Sequence, residues 1–222
     1  MNSGGIAVHS WPDPSSVEVR YYTRQQLALI YEAIDRIVKT GRAEGTMTTA
    51  AGRRGPRLRL GAQFKLLCKL MEWTGARVSE ALSLRPADIR WDMGDGGVVG
   101  ILTLKKRGRR VLRYVPLRKS LRSELLRFMK RHRLGMDSMR RFFGFSRSVV
   151  MKYCTRLQRV LGFEVRTHFF RHTFAVRCLV WAKKKVPLNV LQKWLGHSSI
   201  VNTSIYTDVG AIDTSEYMRL LR

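Results

Sequence analysis

One pair of strand-like segments interrupts a chain whose apolar residues otherwise recur at helical spacing. Val98 to Leu104 and Val111 to Leu117 are rich in β-branched and aliphatic residues, and the polar, glycine-containing turn Lys105 to Arg110 separates them. Two such runs joined by a short polar turn predict a β-hairpin. Because no other segment is a convincing strand, the fold has to be built mainly from helices around one small sheet.

The helical pattern recurs before and after this hairpin. The first helix begins at a capping box made by Thr23 and Gln26 and ends near Gly41. A second helix around Phe64 to Met71 is stopped by Gly75. The later helices are predicted at Val78 to Leu84, Ser120 to Arg131, Ser146 to Leu161, Thr167 to Ala182 and Pro187 to Leu195. The predicted fold class is therefore mainly α with a small antiparallel β-sheet, an α+β arrangement.

The charge of the chain predicts a polyanionic partner. Lys and Arg number 42 against 16 Asp and Glu, which gives a net charge of +26. An excess this large is relieved when phosphates bind and release their counterions. No run of about 18 apolar residues is present to span a bilayer, so nucleic acid is favoured over a membrane. The hairpin turn and the Arg53 to Arg59 region hold the densest positive charge.

The cysteines and the N-terminus argue against secretion and against a metal site. Cys68, Cys154 and Cys178 are odd in number and lack a CxxC spacing, so each is expected to be a small buried residue. Residues 1–20 contain Gly, Pro and Ser without an apolar signal segment, which predicts a flexible arm and, by default, a cytoplasmic location.

The segment Thr167 to Thr173, THFFRHT, carries the first candidate site. His168 and Arg171 are three residues apart and share one face near a helix N-terminus, where free amides already favour an anion. A helix start whose histidines only cap or pack is the simpler alternative. His168 and His172 could also suggest a metal pair, but no HEXXH motif or third ligand accompanies them, so metal binding is disfavoured.

Two further segments hold candidate residues. Arg77, in GARVSEAL, follows a helix stop, and a fixed guanidinium there could hold two phosphate oxygens. A salt bridge between Arg77 and Glu80 is the alternative reading. His197, in LGHSS, precedes Tyr206, in IYTDV, and a tyrosine in such a place is most often a packing residue.

Taken together, GARVSEAL, HFFRHT, LGHSS and IYTDV resemble the ordered motifs of the tyrosine recombinases, the phage integrase family, over about residues 60 to 210. The resemblance implies cleavage and rejoining of duplex DNA through a 3'-phosphotyrosyl link to Tyr206, with neither nucleotide nor metal as cofactor. It implies His168 as general base, Arg77 and Arg171 as clamps on the nonbridging oxygens, and His197 as a further hydrogen-bond donor. Phenol has a pKa of about 10, which is why Tyr206 needs help in losing its proton.

The resemblance also implies a lysine in the hairpin turn that protonates the leaving 5'-oxygen. Lys106, two residues before Gly108, is the first choice, and Lys105 stays open as the alternative. Glu80 and His172 are expected to support the site rather than react. The predicted DNA contacts are Arg53, Arg54, Lys105, Arg107, Arg109 and Arg110.

The predicted organisation is an arm at 1–20, an N-terminal helix with a basic loop at 21–60, and the catalytic domain with a C-terminal helix at 61–222. Family members typically carry a separate core-binding domain ahead of the catalytic one, and only about 60 residues stand there. The amphipathic tail Asp213 to Arg222 could fold on its own core or dock on a neighbouring subunit, which would make a homo-oligomer. Three other functions stay open, namely a type IB topoisomerase, a noncatalytic DNA-binding protein and an RNA-binding module.

Overall fold

The structure is a computed structural model that describes residues 19–39, 60–104, 108 and 110–206. Several sequence predictions lie outside these residues. They are the arm before residue 19, the basic loop with Arg53 and Arg54, the turn residues Lys105, Lys106, Arg107 and Arg109, and the helix at 213–222. The division of the chain at residue 61 stays a prediction.

The described residues form eight α-helices, mostly where the apolar spacing predicts them. Their bounds are α1 Arg24–Lys39, α2 Leu60–Thr74, α3 Val78–Ser83, α4 Lys119–His132, α5 Arg147–Leu161, α6 Thr167–Val176, α7 Leu188–Leu195 and α8 Val201–Ser204. The capping box of α1 is confirmed, since the Thr23 amide donates to the Gln26 side chain and the Gln26 amide donates to the Thr23 hydroxyl. The four-residue helix α8 was not predicted.

The helix predicted from Thr167 to Ala182 is one element in sequence but two in structure. After α6, the segment Arg177–Trp181 is a π-helical turn, and the Ala182 amide donates to the Arg177 carbonyl, five residues back, at 2.9 Å. Apolar spacing does not reveal the change of hydrogen-bonding pattern, because the π-helical turn is only five residues long. The prediction of one continuous α-helix was wrong beyond Val176.

The predicted hairpin is confirmed and gains a third strand. Strand β2 covers Val98–Leu104 and β3 covers Arg110–Pro116, paired antiparallel with Val99 opposite Val115. A two-residue strand β1, Ile89–Arg90, pairs with the other edge of β2, so the sheet order is β1-β2-β3. Such a short strand has no alternation of its own to detect, and therefore sequence pattern missed it.

One apolar core joins the elements. The buried faces of α1 and α2 supply Ile30, Ile34, Phe64 and Leu67, and α1 also packs against α5. Helix α6 lies against α2, which places the HFFRHT segment beside the end of α2. The arrangement brings the N-terminus of α6 and the α2–α3 turn to one place.

The predicted burial of the three cysteines is confirmed. Cys68, Cys154 and Cys178 are all buried with free thiols, and burial raises the pKa of Cys154 and of Cys178 to about 12. Within the described ranges, no helix combines the length and the apolar character needed to cross a bilayer.

Candidate active site

Arg171 joins the two ends of the site from inside the protein. Its side chain extends from α6 and is only 1% exposed. Nη1 donates to the Gly75 carbonyl and Nη2 to the Leu195 carbonyl, each at 2.6 Å. Burial, together with repulsion from the nearby Arg77 and Arg113, lowers the pKa of Arg171 to about 9. Arg171 therefore links the turn after α2 to the end of α7.

Arg77 lies at the turn that Arg171 anchors, just before α3. Its backbone N–H donates to Glu80 Oε2 at 2.7 Å and its Nη1 to Glu80 Oε1 at 3.1 Å. The ion pair that the sequence offered as an alternative is thus present. The side chain of Arg77 is nevertheless 40% exposed, whereas that of Glu80 is 6% exposed. A second ligand can reach the Arg77 guanidinium from solvent.

Arg113, on β3, is a site residue that sequence reasoning missed. Its Nη2 donates to Glu80 Oε2 at 2.7 Å, its Nε donates to the Trp194 carbonyl at 2.7 Å, and its Nη1 contacts Thr103 Oγ1. The sequence did contain a sign of this, because Arg113 stands two residues before the buried Val115 and therefore lies on the same, core-facing side of the strand. Charged residues on a core face are rare unless they are paired.

The hydrogen bonds that Glu80 accepts keep its carboxyl group ionised. Burial of the carboxylate would raise its pKa, but the hydrogen bond and the positive charge of Arg113 outweigh burial and lower it to about 2. The Thr103 hydroxyl donates a further hydrogen bond to Glu80 Oε1 at 2.8 Å. Glu80 is therefore an ionised, fixed carboxylate at neutral pH.

Tyr206 is buried and hydrogen-bonded to a histidine. The tyrosine is 1% exposed, and its hydroxyl lies 2.7 Å from His172 Nδ1. The ring of His168 stands nearly perpendicular to that of His172, with 4.4 Å between the ring centroids. The histidine in contact with the phenol is thus His172, which the sequence placed among the supporting residues. The packed hydroxyl differs from the solvated one that an ordinary surface tyrosine would have.

Burial and positive charge set the ionisation of these groups. Burial lowers the pKa of His168, with repulsion from Arg171 and Arg77 acting in the same direction. Burial followed by the neighbouring His168 lowers the pKa of His172 to about 4. Burial raises the pKa of Tyr206, although Arg171 and Arg77 oppose the increase. Both histidines are neutral at pH 7, so each has one ring nitrogen that can accept a proton.

His197 lies at the corner after α7. The helix ends at Gly196, whose φ of +67° favours glycine, and His197 follows directly. Its Nδ1 lies 2.9 Å from the Thr203 hydroxyl of α8. Burial, then repulsion from Arg171, Arg77 and Arg113, lowers the pKa of His197 to about 4. The unpredicted helix α8 therefore both orients His197 and leads directly to Tyr206.

The site holds a surplus of positive charge. Three guanidinium groups, from Arg77, Arg113 and Arg171, lie near the carboxylate of Glu80, and the charges of Arg77 and Arg113 help to lower the pKa of Arg171. An anion that accepts several N–H hydrogen bonds at once would offset the positive charge of such a cluster. In the part of the chain that the structure describes, no three His, Cys, Asp or Glu side chains are grouped so as to hold a metal ion.

The structure brings Arg77, Glu80, His168, Arg171, His172, His197 and Tyr206 to the same region, in the order that the motifs have along the chain. A model of the phage integrase family matches residues 56–211, most of the chain and all of these positions. The chain belongs to the phage integrase family. Of the remaining predicted residues, Arg110 is exposed at the start of β3 and Gly108 has a φ of +72°, as a turn glycine does.

Curated relatives agree with this membership, and solved structures share the fold. Tyrosine recombinase XerA of Saccharolobus solfataricus is 29% identical over 158 residues, which are 71% of this chain and 50% of that protein. The catalytic domain of bacteriophage HP1 integrase has the same fold, with a TM-score of 0.58 at 19% identity, covering 92% of this chain and 96% of that domain. The Tn1549 transposon integrase in complex with circular intermediate DNA gives 0.59 at 16% identity, covering 92% and 66%. The chain spans about half the length of the curated relatives it matches.

Proposed function

We propose that this chain is the catalytic part of a site-specific DNA recombinase that cleaves and rejoins duplex DNA through a 3'-phosphotyrosyl intermediate at Tyr206. The observation that carries the proposal is the hydrogen bond between the Tyr206 hydroxyl and His172, next to a cluster of arginines with too few counter-charges. A nucleophile, a base and an anion-binding group are the parts that phosphoryl transfer requires. The names of the curated relatives, tyrosine recombinases, support this reading over a topoisomerase.

The arginine cluster fits a phosphodiester. A phosphodiester brings one negative charge and two nonbridging oxygens, which match the bidentate fork of a guanidinium. Arg77, with its side chain partly exposed, would bind one oxygen, and the remaining N–H groups of Arg171 would bind the other. Charge grows on these oxygens in the transition state, so donors that are already fixed stabilise it without reorganisation.

Attack by the phenol needs a base. The Tyr206 oxygen would bond to phosphorus while its proton passes to an imidazole, and the bond from phosphorus to the 5'-oxygen would break. The family resemblance gives the role of general base to His168, and the hydrogen bond of Tyr206 with His172 Nδ1 suggests that His172 shares it. Binding of a phosphate anion would offset the repulsion from Arg171 and Arg77. The pKa of His168 would then rise, which would make His168 a better base.

Departure of the 5'-oxygen needs a proton as well. Lys106, or its neighbour Lys105, would donate it from the hairpin turn, and His197 would donate a hydrogen bond to the phosphate. Glu80 would keep Arg77 oriented without reacting. Rejoining reverses the same exchange with another 5'-hydroxyl, and because the phosphotyrosyl bond conserves the energy, neither nucleotide nor metal cofactor is needed.

Duplex DNA is the proposed partner, and a homo-oligomer on DNA is the proposed assembly. The Tn1549 integrase, whose fold this chain shares, was solved with DNA, and the net charge of +26 favours a phosphate backbone. The proposed DNA contacts are Arg53, Arg54, Lys105, Arg107, Arg109 and Arg110. The tail at 213–222 is the proposed subunit contact.

Trapping on nicked duplexes tests the proposal. A nick just downstream of the scissile phosphate lets the short fragment that carries the freed 5'-hydroxyl diffuse away, so a covalent adduct accumulates and is visible on a denaturing gel. We expect an adduct from a duplex library, mapped by peptide analysis to Tyr206 and absent from Tyr206→Phe. An adduct at another residue, or DNA bound without any adduct, would contradict the proposal. Relaxation of a single supercoiled circle without partner sites would instead indicate a topoisomerase.

A further inference from the structure

Two arginines make parallel links between the same two segments. Arg171 bonds the carbonyls of Gly75 and Leu195. Arg113 bonds Glu80, five residues after Gly75, and the Trp194 carbonyl, which directly precedes Leu195. Only Arg171 belongs to the motifs of the family resemblance, while Arg113 reaches the site from the sheet. The second link therefore calls for an explanation of its own.

The contacts of Glu80 show an unequal division of its charge between Arg113 and Arg77. Arg113, whose side chain is 4% exposed, donates to both carboxylate oxygens, at 2.7 and 3.2 Å. The guanidinium of Arg77 makes one contact with Glu80, at 3.1 Å, and its side chain is 40% exposed. A bidentate, buried pair holds a carboxylate more firmly than a single contact at the surface. Arg113 thus takes up most of the Glu80 charge and leaves the Arg77 fork available.

The path of the Arg113 side chain is shaped by a glycine. A Cβ added to Gly196 would lie 3.0 Å from Arg113 Cδ, so the arginine passes close to the corner that precedes His197. The same glycine has a φ of +67°. The close approach keeps Nε of Arg113 on the Trp194 carbonyl and ties the corner to β3.

We infer that Arg113 is a positioning residue, which holds Glu80 so that the partly exposed guanidinium of Arg77 stays available to a phosphodiester and which fixes the corner carrying His197. The inference deepens the proposed function and rests on it. Without Arg113, the carboxylate of Glu80 would turn to Arg77 as its nearest cation and compete with the phosphate. The loss should then be reversed in part by removing the carboxylate, which a merely structural role of Arg113 does not predict.

The test compares Arg113→Gln with the double variant Glu80→Gln/Arg113→Gln. We expect Arg113→Gln to slow covalent capture on the nicked duplex by about 100-fold, as loss of a fixed donor does. The capture rate of the double variant should be on the order of tenfold higher than that of Arg113→Gln, since the two residues are coupled. The dependence of DNA affinity on salt concentration gives a second readout that does not need the chemical step. For Arg113→Gln, the slope of this dependence should become shallower by about one phosphate contact. In the double variant, the slope should return to the value of the unaltered chain.

Matched controls separate this effect from net charge and from folding. Arg36→Gln and Glu32→Gln/Arg36→Gln make the same charge changes in an exposed pair on α1, and should change neither the capture rate nor the salt slope. Arg113→Lys keeps the charge beside Glu80 but cannot also reach Trp194 with a planar fork, so it should keep the salt slope and lose rate. Circular dichroism verifies that each variant is folded.

The outcomes distinguish the two proposals. Normal capture and a normal salt slope in Arg113→Gln would overturn the role of Arg113 while leaving the recombinase function intact. A double variant that captures DNA as slowly as Arg113→Gln would also overturn this role, because the loss of rate would then come from a structural change and not from the Glu80 carboxylate. If the unaltered chain binds DNA without forming an adduct, the function fails, but the salt slopes still decide the role of Arg113. If the chain binds no DNA, both fail.

Discussion

The imidazole of His172 contacts the hydroxyl of Tyr206, with 2.7 Å between Nδ1 and the phenolic oxygen. The contact joins α6 to the segment after α8, and it buries the hydroxyl that the proposed reaction needs. Because burial raises the pKa of Tyr206, the phenol in this position is a weak nucleophile until a base accepts its proton.

His172→Gln tests whether this contact assists proton transfer. Glutamine can hydrogen-bond the phenol but cannot take up its proton, so we expect covalent capture at pH 7 to slow on the order of 100-fold, as for a general base. The deficit should narrow as the pH approaches the pKa of the phenol, because the base is then no longer needed. Rates from pH 6 to 10 check this, with His132→Gln on α4 as control. A deficit that is equal at every pH would indicate a structural role only.

Tyr206→Phe should abolish the covalent adduct while leaving DNA binding nearly unchanged. The substitution removes one buried hydroxyl and leaves the ring in place, so the core around it is retained. His172 loses a hydrogen-bond partner, which should lower the free energy of unfolding by about 1 kcal/mol. Gel shifts, denaturing gels and urea unfolding measure the three quantities. A persistent adduct would show that another residue is the nucleophile.

Arg171→Lys should reduce both stability and activity. A lysine cannot donate to the Gly75 and Leu195 carbonyls at once, so one buried carbonyl loses its partner at a cost of about 1–3 kcal/mol. Capture should slow by at least about 100-fold, because a bidentate phosphate donor is lost. Urea unfolding and capture rates measure the two effects, with the exposed Arg127→Lys on α4 as control. Normal capture by Arg171→Lys would contradict the assigned role.

Sequence pattern predicted the helices and the hairpin because each has its own periodicity. It did not predict the inward-facing Arg113, since the basic run around it favours a solvated surface and only the two-residue spacing from Val115 indicates the core face. The contact of His172 with Tyr206 depends on how α6 lies against the segment after α8, which no local pattern contains. The motifs contain residues that the structure brings to one region, whereas the presence of Arg113 there and the hydrogen-bond partners within the region depend on tertiary packing.

Gly75→Ala should disturb the turn that presents Arg77. Gly75 has a φ of +64°, and an added Cβ would lie 2.6 Å from Phe174 Cδ1 and 2.9 Å from Leu195 Cδ2. We expect a cost of about 1–2 kcal/mol for the left-handed backbone and a further 1–3 kcal/mol for the overlap. Gly162→Ala, with a φ of +74° and nothing within 4 Å of the added atom, should show the backbone cost alone. Equal losses in thermal or urea unfolding would contradict the steric argument.

Acidification from pH 7 to pH 5 should destabilise the fold through its buried neutral histidines. The pKa values of His172 and His197 are about 4 in the folded protein, below the ordinary 6.5, so the unfolded chain takes up protons first. Their contribution to stability is therefore complete above pH 6.5 and is lost as the pH falls toward 4. Glu80 does not contribute in this window, because its folded pKa of about 2 affects stability only below its ordinary 4.5. Urea unfolding at pH 7, 6 and 5 measures the slope, which His172→Gln/His197→Gln should flatten. A pH slope that His172→Gln/His197→Gln leaves unchanged would mean that these two histidines are charged or solvated in the folded protein.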